Sequence, residues 1–450
     1  MTMNRHPLLS RPARTGFLLL AVAALVVVGL SRGAAPGAGV PVIRVAADDG
    51  WTHPLVELRE ANPELRVHGE FGLSVHLDRD SVTVRWLTAQ AEEGFLEVVA
   101  GGQVTDAFQT QAWASHRVRF DVPPAAAFLV RYGSAVDPGD RHETWVRLEG
   151  HDRPAPVRVR GVDTLWVMAD IHGEHDRFVE VLHSAGLVDA QRRWSGGTAH
   201  LVVAGDVMSR GMDVAAVLWL LHRLEAEAAE AGGAVHLLLG NHEIMVMLQD
   251  LRYVHPKETW IAESHDLSYD RLYDTRRSYL GRWLASRPAI LMVDDVLLAH
   301  AGVADRWLDW SPESHADSLR AFMAEDLFHF WADLSYVPDL DEEAFNRRHD
   351  FFWDSASVFW YRGYSQSDTQ GEELEAVLEQ WGAGLHVVGH TPVPGIREVL
   401  GGRLILTNTL PFADEALRLS RDPGASGGWA RARIGREGPM RPLLQGYPEP

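Results

Sequence analysis

The chain has no cysteine in its 450 residues. Disulfides, thiolate metal ligands, cysteine nucleophiles and a lipid-bearing N-terminal cysteine are all excluded by that absence. Lysine is nearly missing as well: Lys257 is the only one, and arginine supplies the rest of the positive charge without clustering. Forty-two basic residues stand against 62 acidic ones, a net charge of −20. A nucleic-acid partner is disfavoured, because phosphate backbones are bound by grouped Lys and Arg. No internal repeat and no long low-complexity run is present.

What is present suits a folded protein. Apolar residues make up 46% and charged ones 23% of the chain. Its length calls for more than one ordinary core. At the N-terminus, Arg5, Arg11 and Arg14 precede an apolar run over residues 16–30, followed by Ser31-Arg32-Gly33-Ala34-Ala35. A basic segment, an apolar segment of this length and a small-residue exit read as an export signal over residues 1–40. The alternative is an uncleaved anchor, which would be the protein's only link to a membrane. The expected address is periplasmic or extracellular.

Residues 41–153 read as β. Ser81-Val82-Thr83-Val84-Arg85-Trp86-Leu87-Thr88 alternates polar and apolar, and so does 116–122; shorter β-type pieces lie at 95–99, 128–132 and 144–148. Turn residues separate them at Gly101-Gly102, Pro123-Pro124 and Asp137-Pro138-Gly139. Short strands at this spacing predict a small all-β sandwich domain. After His151-Asp152-Arg153-Pro154-Ala155-Pro156 the pattern changes. Apolar runs at 165–169, 201–204, 235–239, 290–299 and 385–388 alternate with helical stretches, notably 214–229. Alternation of this kind predicts an α/β layered domain over 157–450. The stretch 424–428 and the final residues read as a peripheral hairpin and tail. Glu258 and the acidic run 339–343 read as solvated surface.

Each apolar run of that second region ends in the same kind of residue. The run at 165–169 leads into Asp170-Ile171-His172-Gly173, which by itself is either a hydrogen-bonded turn or a pair of metal ligands. The others lead into Gly205-Asp206, Gly240-Asn241-His242-Glu243, His300-Ala301-Gly302 and Gly389-His390-Thr391-Pro392. Sites in open α/β sheets collect outside the carboxyl ends of the strands. Five tips carrying Asp, Asn and His can therefore converge although far apart in sequence, and adjacent glycines allow the tight turns this needs.

This ordered set resembles the calcineurin-like metallophosphoesterases, over roughly residues 162–410. Gly205-Asp206-Val207-Met208-Ser209-Arg210-Gly211 and Gly240-Asn241-His242-Glu243 are similar to the signatures of phosphoprotein phosphatases. Val388-Gly389-His390-Thr391-Pro392 and Trp360-Tyr361-Arg362-Gly363-Tyr364 resemble the Shewanella-like bacterial branch. The β region resembles a fibronectin type III-like domain. The resemblance implies a two-sheet α/β metallophosphoesterase sandwich preceded by a small all-β sandwich, and a dinuclear centre of two transition metals. Manganese is expected first, with iron or zinc as the other choices; Asp, His and Asn suit such hard or borderline ions. Asp170 and His172 would hold one metal, Asp206 would bridge, and Asn241, His300 and His390 would complete the second site. Arg210 and Arg362 would clamp phosphate, and His242 would protonate the departing oxygen.

The implied function is hydrolysis of phosphate monoesters on a phosphorylated protein or small molecule by metal-activated hydroxide. One position departs from the pattern: relatives carry Asp where this chain has Ser209, and a hydroxyl supports an imidazolium less well than a carboxylate does. Esters with good leaving groups, phosphotyrosine-like ones among them, need that support least. Asn408 also stands where relatives often carry Asp. Two rival readings are a diadenosine-polyphosphate hydrolase and a non-catalytic binding protein whose β-sandwich is the working part.

Overall fold

A computed structural model of the chain describes residues 42–45, 65–324 and 341–448. The basic and apolar N-terminal segment and Asp339 of the acidic run lie outside the described residues. The β region consists of β1 (Val42–Val45), β2 (Ser74–Leu77), β3 (Ser81–Ala100), β4 (Gln103–Asp121), β5 (Ala127–Ser134) and β6 (Arg141–Arg147). They form one six-stranded sheet in the order β1-β4-β3-β5-β6, with β2 paired to β3. The β-rich content is as expected, but as a single sheet rather than the two facing sheets of a sandwich. The pieces at 81–88 and 95–99 are the two ends of one long strand. Its middle holds Gln90 and Glu93 with exposed side chains, so their polarity marks a solvent-facing stretch and not a turn. Irregularities in the β3–β4 register near Leu87/Glu92 let so long a pair bend. Val84, Trp86, Leu96 and Phe128 are buried in a core continuous with that of the following region.

The layered region contains β7 (Arg158–Val159), β8 (Thr164–Met168), β9 (His200–Val203), β10 (Ala234–Leu237), β11 (Ile290–Val293), β12 (Val296–Ala299), β13 (Leu385–Val388), β14 (Arg397–Val399), β15 (Leu404–Leu406), β16 (Glu415–Arg421), β17 (Trp429–Gly435) and β18 (Leu444–Gln445). One sheet runs β10-β9-β8-β16-β17 and the other β18-β14-β15-β13-β12-β11-β7. Strand β8 shows why two sheets form. Alternate side chains leave a strand on opposite faces. Leu165 and Val167 enter a core shared with Leu291, Leu298, Val387 and Ile405 of the second sheet. Trp166 and Met168 enter the core that holds Phe178 and Val181 of helix α1 (His175–Ser184) and Val217 and Leu221 of helix α2 (Val214–Glu230). Covered on both faces, the strand reads as an unbroken apolar run.

Three expectations change. Residues 290–299 are not one strand but the antiparallel pair β11–β12, reversing at Asp294 with φ 52°. The C-terminal hairpin is not peripheral, because β16 pairs with β8 inside its sheet and β18 pairs with β14. Glu258 is buried, with its Oε1 accepting from the Val214 N–H at 3.2 Å. No helix among the described residues is long and apolar enough to cross a membrane. Strands β8, β9 and β10 are mutually parallel, and so are β12, β13 and β15. Each set therefore delivers its carboxyl ends to one edge.

Candidate active site

The chain reverses tightly after the strand ends. Asp170, His172, Asp206, Ser209, Arg210 and His390 all have left-handed backbone, with φ between 47° and 67°. Such conformations cost of order 1–3 kcal/mol each for residues with a Cβ and persist only where surroundings impose them. Here they turn the side chains back toward one another. Two glycines make room: a Cβ on Gly389 would come 2.5 Å from Asp170 Oδ2, and one on Gly240 would strike the Asp206 carboxylate.

Asp206 Oδ2 lies at the centre, 3.3 Å from His300 Nε2, 3.7 Å from His172 Nε2 and 3.9 Å from His242 Nε2. His300 Nε2 is also 2.9 Å from Asn241 Oδ1 and 3.1 Å from His390 Nδ1. Asn241 opens helix α3 (Asn241–Met247), directly behind Gly240. Asp170 Oδ1 is 3.9 Å from His172 Nε2, and its Oδ2 accepts the His390 N–H at 2.9 Å. All six expected metal ligands are thus brought together and buried. Asp206 belongs to both of the tight donor groups there, His172–Asp206–His242 and Asp206–His300–His390, which is the place a bridging ligand must take.

The hydrogen bonding shows that these donors fit a cation. His300 Nδ1 faces the Ala204 carbonyl at 2.9 Å and His172 Nδ1 the Met208 carbonyl at 2.9 Å, so both nitrogens carry hydrogens. In the neutral rings the Nε2 atoms are then lone pairs facing carboxylate and amide oxygens. His390 Nε2 is buried and has no hydrogen-bond partner among the described residues. Acceptors pointed at acceptors need a proton or a metal ion between them.

Two guanidiniums border the cluster. Arg210 Nη2 is 3.4 Å from His242 Nε2, and Arg362 Nη2 donates to the His390 carbonyl at 3.3 Å. The Arg210 guanidinium lies 5.2 Å from the Tyr253 ring and 5.8 Å from the Phe412 ring. Phe412 also meets the His172 ring edge-on at 4.5 Å.

Residues 163–394 match the calcineurin-like phosphoesterase family. The chain belongs to that family. It is accordingly an enzyme, a metal-dependent phosphatase. It is similar to an uncharacterized protein of Schizosaccharomyces pombe, at 28% identity over 56% of this chain and 74% of the relative. It is also similar to Shewanella-like protein phosphatase 2 of Arabidopsis thaliana, at 40% identity over 101 residues, 22% of this chain and 26% of the relative. Among solved structures, the cold-active protein-tyrosine phosphatase of a psychrophilic Shewanella shares the fold, with a TM-score of 0.63. That match covers 82% of this chain and 98% of the other at 22% identity.

Within this phosphoesterase the departure at Ser209 has a visible result. His242 Nδ1 is buried and, among the described residues, has no hydrogen-bond partner, Ser209 included. Two residues given no role by the sequence reading hold the site. Glu243, fully buried, accepts four backbone N–H bonds at 2.7–2.9 Å, from Gly240, Asp206, Val207 and Met208. It thereby welds the tip of β9 to the start of α3. Its place directly after the Asn-His pair is the signal that could have found it. Asn408, beyond β15, donates from Nδ2 to Asp170 Oδ1 at 2.7 Å. An aspartate there would set like charges together unless one held a proton.

Without metal, protons must occupy the centre. Burial raises the Asp170 carboxyl to about 8, helped by the Asp206 charge. Burial opposes protonation of His300, but the Asp206 and Asp170 carboxylates outweigh it and lift that imidazole to about 9. Asp206 itself is held low: burial pulls upward, and the imidazoles of His300, His242 and His172 more than offset it. Groups with raised pKa values carry protons at pH 7 that a metal has to displace. Manganese uptake by the metal-free protein should therefore release protons near neutrality and tighten as pH rises toward 9. Titration in weak buffer with a pH indicator checks this; uptake independent of pH between 6 and 9 would contradict it.

Proposed function

We propose that the chain is an exported dinuclear-metal phosphatase acting on phosphate monoesters, with aryl esters of the phosphotyrosine type as the favoured class. The observation that carries the substrate class is the aromatic border of the site. Tyr253 is 46% exposed, its ring 5.3 Å from that of His242, and Phe412 flanks Arg210 from another side. An aromatic leaving group entering beside His242 would meet a ring for offset or edge contact. The likeness to a fold whose solved example is named a protein-tyrosine phosphatase, and to a Shewanella-like protein phosphatase, supports the same reading.

In this reading Arg210 and Arg362 present paired N–H donors to the phosphoryl oxygens, which a planar guanidinium does bidentately. His242 delivers a proton to the departing ester oxygen. Bound ions would supply Lewis acidity that lowers the pKa of water and neutralises phosphoryl charge. Asp170, His172, Asp206, Asn241, His300 and His390 would hold them, and these oxygen and nitrogen donors suit manganese, iron or zinc. Export rests on the pattern of residues 5–35. Cell fractionation of a bacterium expressing the full chain tests it, and activity confined to the cytoplasm overturns it.

The substrate class is tested by kcat/KM for phosphotyrosine, phosphoserine and diadenosine tetraphosphate on manganese-loaded protein. Phosphotyrosine should lead; diadenosine tetraphosphate in that place would replace the monoester reading with the phosphoanhydride one. In Tyr253→Ala, turnover of phosphotyrosine should fall roughly 3- to 10-fold, the size of one aromatic contact. Phosphoserine turnover should hold. Equal losses on both esters would remove the aromatic border from specificity.

A further inference from the structure

A second group of metal-type donors lies on the β region, sharing no residue with the phosphoesterase centre. We propose that His68, Asp140 and His142 form an additional site for a divalent transition metal, zinc being the ion that such a donor set suits best. His68 precedes the turn at Gly69–Gly72, while Asp140 and His142 stand one residue apart at the start of β6. One donor atom from each lies within 4.8 Å of the other two. Two imidazoles and a carboxylate are a common zinc-ligating combination that leaves a fourth position for water.

Three features make this more than a hydrogen-bonded pair. The carboxylate is already oriented: Asp140 Oδ2 accepts the Ala89 N–H at 2.8 Å, which leaves Oδ1 toward the histidines, 2.8 Å from His142 Nε2. Outer partners of this kind are what fix a ligating carboxylate. Second, Asp140 is 3% exposed, and among the described residues no Arg or Lys pairs with it; imidazoles, those of His142, His68 and His116, meet its charge together with the Ala89 N–H. Burial works against the carboxylate, but the His142 and Ala89 hydrogen bonds outweigh it and keep Asp140 charged, the form that binds a dication. Third, the approach of the two histidine segments depends on Gly69, which has φ 61°. A Cβ there would lie 2.8 Å from the His142 ring, so only a glycine lets the turn carrying His68 seat against it.

The His142 side chain is 23% exposed, leaving a route for an ion and a water. Tetrahedral zinc with bonds near 2.1 Å sets its ligand atoms about 3.4 Å apart, so Asp140 Oδ1 and His142 Nε2, 2.8 Å apart here, would exchange their hydrogen bond for the ion and separate slightly on binding.

The test counts metal on the full chain. Wild type, the double variant His68→Ala/His142→Ala and the single variant Asp140→Asn are loaded with zinc, dialysed and measured by elemental analysis. Each variant should hold one zinc fewer per chain than wild type, and hydrolysis of an aryl phosphate should stay within about two-fold. Equal zinc content in wild type and in folded Asp140→Asn overturns the site. Asp140→Asn keeps an oxygen for the Ala89 N–H, so it decides the matter if the double variant fails to fold. An Asp206→Ala control separates the two centres: it should lose metal from the phosphoesterase cluster and keep the zinc that Asp140→Asn loses.

Discussion

Asp206→Ala should abolish phosphatase activity and remove most of the metal from the phosphoesterase centre. The reason is geometric. One carboxylate oxygen stands within 4 Å of three imidazole nitrogens, and the same residue belongs to both donor groups. Asp206 also orders the backbone, since its Oδ1 accepts the His242 N–H at 2.9 Å. Its loss takes from His300 the carboxylate that does most to lift its pKa and leaves the weaker influence of Asp170. The remaining donors, Asp170 with His172 and Asn241 with His300 and His390, are then two incomplete sets. A loss of at least about 10⁴-fold in kcat/KM is expected, because charge stabilisation by both ions goes together. Metal content by elemental analysis and kcat/KM on an aryl phosphate check this. Two retained metals with normal turnover would show that Asp206 does not bridge.

His242→Asn should slow monoester hydrolysis by about 10²- to 10⁴-fold, the usual size of a general-acid contribution. The neighbouring Asn241 keeps its own contact to His300, so metal content should not change. Alkyl phosphates should lose more than aryl phosphates, since a poor leaving group depends more on the proton. Ser209 bears on the same proton. His242 has its pKa lowered, by burial first and by the Arg210 charge, with Asp206 acting in the opposite direction. Among the described residues its Nδ1 has no partner that would support the charged ring. Ser209→Asp places a carboxylate at the position where the sequence resemblance implies one. It should raise kcat/KM for alkyl phosphates several-fold and leave aryl phosphates nearly unchanged. Measuring both ester types in wild type and both variants separates the effects. Equal losses on the two esters in His242→Asn would remove the acid role, and no ester-dependent gain in Ser209→Asp would remove the explanation for the buried, unpartnered Nδ1.

The sequence by itself determined the layered α/β region and the set of residues at its strand tips. Doubly covered strands such as β8 and β12 are short unbroken apolar runs, and Gly beside Asp, Asn or His marks where such runs turn. Those are local signals, so Asp170, Asp206, Asn241, His300 and His390 could be named from short windows. Only the tertiary structure decided what depends on pairing between distant segments. The middle of β3 is polar because it is exposed, and no window distinguishes that from a turn until β4 is seen running alongside. Residues 290–299 divide into two strands because Asp294 takes a left-handed turn inside an apolar run. Strand β16 sits beside β8 through a pairing across some 250 positions of chain. Glu243 and Asn408 hold the centre through bonds to backbone and carboxylate groups whose nearness no spacing encodes. Phe412 and Tyr253 flank Arg210 from opposite parts of the chain for the same reason. Ligand identity is a property of residue type at a strand end, whereas orientation, protonation and the shape of the site's border are properties of what folds against it.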